Sequence, residues 1–173
     1  MSIIIRKPNI EEWMQYKALR LRSLKEFPLA FSGSYDESAT KPDEEWQKTL
    51  QSSINLEESI ILCAYDGEKM IGCVGAYWKN KIKTKHVANV GLMYVKPEYQ
   101  GQKLGERLLV ELISNLKDMG QFKKVKLEVV TDNVPAFNLY KKLGFSQTGV
   151  NHEELYIDGK YFDTTAMELE LPS

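Results

Sequence analysis

Residues 90–109 read VGLMYVKPEYQGQKLGERLL, and two periodicities meet there. Val90–Val95 is an apolar run stopped by Pro97, the pattern of a strand. From Leu104 on, Leu108, Leu112 and Leu116 recur every four residues, with Leu109, Ile113 and Met119 beside them. That stripe predicts an amphipathic helix over 104–119, with Gly120 placed to cap it. Between the two lies a loop carrying Gly101 and Gly105. A strand that feeds a helix through such a loop points free N–H groups and the positive end of the helix dipole at one spot, which suits an anion such as phosphate. Neither the Walker pattern nor the dinucleotide pattern Gly-x-Gly-x-x-Gly is present. By itself the loop fits a structural turn equally well.

Downstream, Val125, Leu127 and Val129 alternate with Lys126 and Glu128, which predicts a strand. TDNVPAFNLYKKLGF, residues 131–145, then reads as a helix ended by Gly144. Phe145–Tyr156 and Lys160–Leu171 form a last hairpin around Asp158-Gly159. Upstream, Ile3–Ile5 is a first strand. Asn9 caps a helix carrying Ile10, Trp13, Met14, Leu21 and Leu24. Phe27–Ser38 reads as a loop, and a second helix starts after Pro42 with Asp43–Glu45 in its first turn. Ser59–Tyr65 and Met70–Trp78 pair around Asp66-Gly67, and His86–Val95 is the next strand. The order predicts an α+β fold: a mixed, mostly antiparallel sheet flanked by helices on both faces. No repeat or linker divides the chain, so residues 1–173 are expected to form one domain.

Composition excludes several classes. Apolar residues make up 43% and charged residues 27% of the 173, and the net charge is -1. There is no basic excess for a nucleic-acid binder, and the lysine run Lys79–Lys85 reads as a solvated loop. Cys63 and Cys73 lie in apolar runs and read as reduced core residues. No signal segment or long apolar span is present, so a cytoplasmic protein without a membrane partner is expected.

Two motifs together are specific. VGLMYVKPEYQGQKLGERLL followed by VKLEVVTDNVPAFNLYKKLGF resembles the GNAT family of N-acetyltransferases. The family loop is Arg/Gln-x-x-Gly-x-Gly/Ala, and its later helix carries Asn-x-x-Ala-x-x-Leu-Tyr-x-x-x-Gly-Phe. Asn133, Ala136, Leu139, Tyr140, Gly144 and Phe145 all match, as do Gln100 and Gly105. Lys103 departs, standing where the family usually has glycine. A right-handed backbone is expected there, which would make glycine unnecessary.

The resemblance implies acetyl-CoA as cosubstrate, no metal, and an acceptor amine on a small molecule or a protein. It places the diphosphate on the loop Gln100, Gly101, Gln102, Lys103, Leu104, Gly105 and Glu106, and the pantetheine arm along Met93, Tyr94 and Val95. The Met93 N–H would polarise the thioester carbonyl. Asn133 and Ala136 would hold the arm, and Tyr140 would meet the sulfur. Asn133 and Tyr140 are seven residues apart, so they share one helix face about 10 Å apart along the axis. A helix cap and a core tyrosine would explain the pair from this helix alone, and the phosphate loop one strand earlier favours the ligand reading. Some family members carry a glutamate base where this chain has Asn89. That leaves the base open among ordered water, Glu37, His86 and His152. The acceptor is expected between Phe27–Ser38 and the final hairpin, near Phe31, Tyr35, Asp36, Tyr156 and Asp163. A homodimer through the late strands is a further expectation from the resemblance. A non-catalytic acyl-CoA sensor on the same fold is the alternative.

Overall fold

A computed structural model describes residues 3–171. Its elements are β1 (Ile4–Arg6), α1 (Trp13–Glu26), α2 (Tyr35–Ala39), α3 (Asp43–Ile54), β2 (Ser59–Asp66), β3 (Lys69–Trp78), β4 (Val87–Val95), α4 (Leu104–Asp118), β5 (Lys124–Val130), α5 (Val134–Lys142), β6 (Ser146–Ile157) and β7 (Lys160–Glu170). The seven strands form one sheet in the order β1-β2-β3-β4-β5-β7-β6. Only β4 and β5 are parallel neighbours. Among the described residues no helix is long and apolar enough to cross a membrane.

Strand alternation separates two cores. Ile60, Leu62 and Ala64 of β2 face one side, where α4 supplies Leu104, Leu108, Leu109, Leu112 and Leu116 and α5 supplies Tyr140. Ile61, Cys63 and Tyr65 face the other, against Tyr16 and Leu19 of α1 and Trp46 and Leu50 of α3. A strand buried on both faces needs an unbroken apolar run, and IILCAY in β2 supplies it. Cys63 and Cys73 are free and buried.

Two local expectations give way. Phe27–Ser38 is not a plain loop. It contains a 3-10 turn, Pro28–Ala30, and the start of α2. Ser34 caps α2, its hydroxyl accepting from the Glu37 N–H at 3.2 Å, so the Ser-x-x-Glu spacing was a helix signal. Lys103 is not right-handed. It sits at φ 57°, ψ 17°, the left-handed region that costs a side-chain-bearing residue about 1–2 kcal/mol. The turn into α4 takes two left-handed residues, Gly101 and Lys103. Glycine would be strain-free at the second as well.

Candidate active site

The sheet opens between β4 and β5. Their register runs Val87↔Lys124, Ala88↔Val125 and Asn89↔Lys126, and stops. β5 continues to Val130 with β7 as its other neighbour. β4 continues to Val95 with β3, but through a bulge: Gly75 pairs with Gly91 and Cys73 with Tyr94, leaving Leu92 and Met93 unpaired opposite Val74. Leu92 has φ 61°, and the bulge turns β4 away from β5. A wedge between the strands results, open toward their C-terminal ends.

The loop after β4 closes one mouth of this wedge. Gln100 ties it back, its side-chain amide donating to the Val95 carbonyl at 3.0 Å. Among the described residues no acceptor takes the N–H groups of Gly101, Gln102, Lys103, Leu104, Gly105 or Glu106. They form the free amino end of a 15-residue helix, an arrangement suited to a diphosphate. A Cβ at Gly105 would lie 2.9 Å from Met93 Cε, the flexible end of a side chain that can swing aside. The Glu106 carboxylate is held by the Lys142 ammonium at 2.7 and 2.8 Å, so the one negative charge in the first turn is neutralised and drawn toward α5.

α5 lines the same core face. The Asn133 side-chain oxygen caps it, accepting from the Ala136 N–H at 3.2 Å. The cap is therefore real, yet it uses only the oxygen and leaves the amide NH2 to donate. Tyr140 is 8% exposed, edge-on to Phe145, and its hydroxyl meets no hydrogen-bond partner among the described residues. Burial pushes the phenol up to about 12, so it stays protonated and can only donate or accept a hydrogen bond near neutral pH. The Tyr94 side chain lies on the opposite face, where its hydroxyl donates to Glu26 at 2.7 Å. Only its backbone faces the wedge.

On the α1 face the acceptor candidates divide. Phe31 packs against the same core cluster as Leu92, and the Pro28–Ala30 turn touches β5 and β6. This segment therefore roofs the wedge. Tyr35 and Asp36 are on the exposed helix α2, with the Tyr35 ring 5.8 Å from the Lys25 ammonium. Tyr156 is 65% exposed and stacks on Tyr161 near the hairpin tip. His86 sits at the closed end, its carbonyl bonded to Lys123 and Lys124. Seven residues of strand, about 23 Å, separate it from Met93, too far for a base. His152 is strongly exposed and bonds Asp163 at 2.9 Å. The Glu153 N–H and then His152 hold the Asp163 carboxyl below its usual range.

One carboxylate escaped the sequence reading. Glu128 projects from β5 on the face away from Leu127, two residues beyond Lys126, the last partner of β4. It stands on the wall of the wedge next to the level of Asn89. Its oxygen accepts from the Thr164 hydroxyl at 3.1 Å, and Thr164 accepts from Asn151 at 3.3 Å. The alternation Lys126–Glu128 was visible in sequence, but that β4 ends its pairing just before Glu128 was not.

The profile of the acetyltransferase (GNAT) family matches residues 21–145. The chain belongs to the GNAT family. This GNAT protein is 25% identical over 125 residues to the L-amino acid N-acetyltransferase AaaT of Escherichia coli, covering 72% of this chain and 75% of that one. Its fold matches a GNAT acetyltransferase from Streptococcus pneumoniae with TM-score 0.89 and 24% identity, over 99% of this chain and 100% of that one. It also matches yncA of Salmonella typhimurium, solved with acetyl-CoA, at TM-score 0.86 and 18% identity over 99% and 95%. The GNAT fold thus accounts for the sheet order and for helices on both faces.

Proposed function

We propose that this protein moves the acetyl group of acetyl-CoA to a primary amine by direct transfer, as one catalytic domain. The wedge beyond Asn89 carries the reading, because it joins the free amides of the α4 start to the Tyr140 hydroxyl through a continuous strand edge. In this reading the amides of residues 101–106 hold the diphosphate. The Met93–Val95 backbone and the Asn133 amide hold the pantetheine arm alongside Ala136. Acetyl-CoA supplies an acetyl group on a thioester, whose sulfur leaves readily. The Met93 N–H donates to the carbonyl oxygen, a contact worth about 2.7–4 kcal/mol in comparable sites. Glu128, assisted by Thr164, takes the proton of the entering amine as the N–C bond forms, in place of the base that Asn89 cannot supply. Tyr140 donates a hydrogen bond to the sulfur as the C–S bond breaks. With its phenol near 12 and a thiol near about 8.5, Tyr140 steadies the thiolate rather than giving up its proton.

Release of free thiol in the presence of acetyl-CoA and a panel of primary amines tests the reading. Turnover with at least one amine, lost in Glu128→Gln with acetyl-CoA binding retained, is expected. Binding of acetyl-CoA with no turnover on any amine would favour the second reading, an acyl-CoA sensor, which the strained Lys103 motivates. The outer strand β6 pairs only with β7, and we place a homodimer partner along that free edge. A cytoplasmic location accompanies this proposal.

A further inference from the structure

Arg20 is a buried cation without a counter-charge. It lies on α1 and is 8% exposed. The other arginines of this region are engaged by carboxylates, Arg6 by Glu12 and Arg22 by Glu26 and Glu98. Arg20 has no acidic partner among the described residues. Its Nη1 donates to the Ser23 hydroxyl at 2.9 Å, and its guanidinium carbon lies 4.6 Å from the Phe31 ring centroid. An aromatic face attracts a cation but cannot neutralise it. Removing a charge from water costs several kcal/mol unless an opposite charge meets it. Among the described residues the one sealed side-chain polar atom without a partner is Trp46 Nε1. The unpaired guanidinium nitrogens therefore still touch accessible space.

Two contacts locate that space. The Phe31 ring over Arg20 packs against the same cluster as Leu92, one that contains Cys73, whose thiol donates to the Leu92 carbonyl at 3.2 Å, in the bulge beside Met93. The ring over Arg20 belongs to the segment that roofs β5 and β6. Both put Arg20 on the α1 face of the wedge. The free amides of α4 serve the other face, so a coenzyme phosphate there is not the missing anion.

We infer that Arg20 receives the carboxylate of the acceptor, and that the acceptor is a small amino acid-like molecule with a carboxylate close to its primary amine. The inference rests on the acetyltransferase reading above. Arg20 on one wall and Glu128 on another give the two charges that a zwitterion requires. A guanidinium binds a carboxylate through paired N–H donors. A polyamine would set a second cation against a buried one and is disfavoured for that reason.

The test compares amino acids with their own amides, side chain for side chain, in the thiol-release assay. The amide's amine is less basic and more of it is neutral, so intrinsic reactivity favours the amide. A kcat/KM at least about 100-fold higher for one or more acids is nonetheless expected. Arg20→Met, which keeps the apolar cover of Phe31, should erase that preference mainly through KM while the acetyl-CoA thermal shift persists. Arg20→Lys should retain part of it. Amides acetylated as well as acids by the unmodified protein would overturn this inference and leave the acetyltransferase reading standing. Failure of every amine would overturn both. The acid-amide comparison needs no variant, so it decides even if Arg20→Met does not fold.

Discussion

Asn89 of β4 and Lys126 of β5 are the last residues in register between the two strands; the wedge opens beyond them, and Glu128 stands two residues past Lys126. The divergence has a local cause. β4 carries one residue more than β3 between the pairs that flank Met93, so it must bulge. Leu92 takes the left-handed conformation that accommodates the extra residue. The bulge then turns the remaining strand away from β5 at the level of Met93.

Gly75 permits this bulge. A Cβ at that position would lie 2.8 Å from Leu92 Cδ1 and 3.1 Å from the Ile60 carbonyl oxygen. The carbonyl belongs to the backbone of β2 and cannot swing aside. Gly75→Ala should therefore cost about 1–3 kcal/mol, read as a Tm lower by roughly 3–8 °C. Turnover should fall by more than about tenfold, because a small shift of Met93 misaligns the carbonyl contact. An alanine variant with unchanged Tm and rate would show that the bulge does not control the site.

Lys103 stores strain that glycine would release. Its left-handed backbone costs about 1–2 kcal/mol, offset in part by the greater freedom of glycine in the unfolded chain. Lys103→Gly should raise Tm by about 1–3 °C and should not weaken acetyl-CoA binding, measured by calorimetry. Lys103→Val, with a branched Cβ, should move Tm down by a similar amount. If glycine lowered Tm, the lysine side chain would be shown to repay the strain through contacts of its own.

Most of the architecture was legible because periodicity reports burial. IILCAY in β2 and the leucines of α4 could be assigned from spacing, and the glycine turns at Asp66-Gly67 and Asp158-Gly159 mark hairpins by their backbone needs. What sequence could not supply was register and dihedral. The expectation of a right-handed Lys103 extended the helical pattern one residue too far, because a leucine at 104 says nothing about φ at 103. Glu128 and Arg20 were invisible for a related reason. Each matters for what it lacks or faces across strands: Glu128 borders a gap left by β4, and Arg20 has no carboxylate where Arg6 and Arg22 do. Tyr35 and Asp36 lie on the exposed helix α2 and Tyr156 near a hairpin tip, and that degree of exposure could not be read from their segments alone.

Glu12 should govern the acid limb of stability. Its carboxylate takes both Arg6 nitrogens at 2.7 and 2.9 Å, the Asn9 N–H at 2.7 Å and the Tyr65 hydroxyl at 2.9 Å. The Arg6 hydrogen bonds lead in drawing its carboxyl down to about 2. A carboxylate whose folded value lies below its unfolded one stabilises fully above about pH 4.5 and loses that stabilisation as pH falls toward about 2. Solvent reaches the pair, so the contribution is taken as about 1 kcal/mol after screening. Urea midpoints measured from pH 6 to pH 2.5 should fall less steeply for Glu12→Gln than for the unmodified chain. Parallel slopes would remove Glu12 from the account.

Tyr140→Phe separates a structural tyrosine from a functional one. The hydroxyl has no hydrogen-bond partner among the described residues, while the ring packs in the core and meets Phe145 edge-on at 6.0 Å. Phenylalanine keeps the ring, so a residue that served only the core would give a variant with unchanged stability and unchanged turnover. The proposed contact with sulfur predicts a different result: Tm within about 2 °C near neutral pH, and kcat lower by about 10²–10⁴-fold. Alkaline stability supplies an independent check. The folded phenol is raised by burial to about 12, above an unfolded value near about 10. Between those values the unfolded chain has lost its proton and the folded one has not. Stability must therefore fall as pH rises through that window, by up to about 2–3 kcal/mol from this group at its upper end. Tyr16, Tyr65 and Tyr94 are shifted upward as well and add to the same slope. Tyr140→Phe should make the fall shallower without abolishing it. A variant with full turnover would show that the hydroxyl does not meet the sulfur, whatever its effect on the alkaline limb.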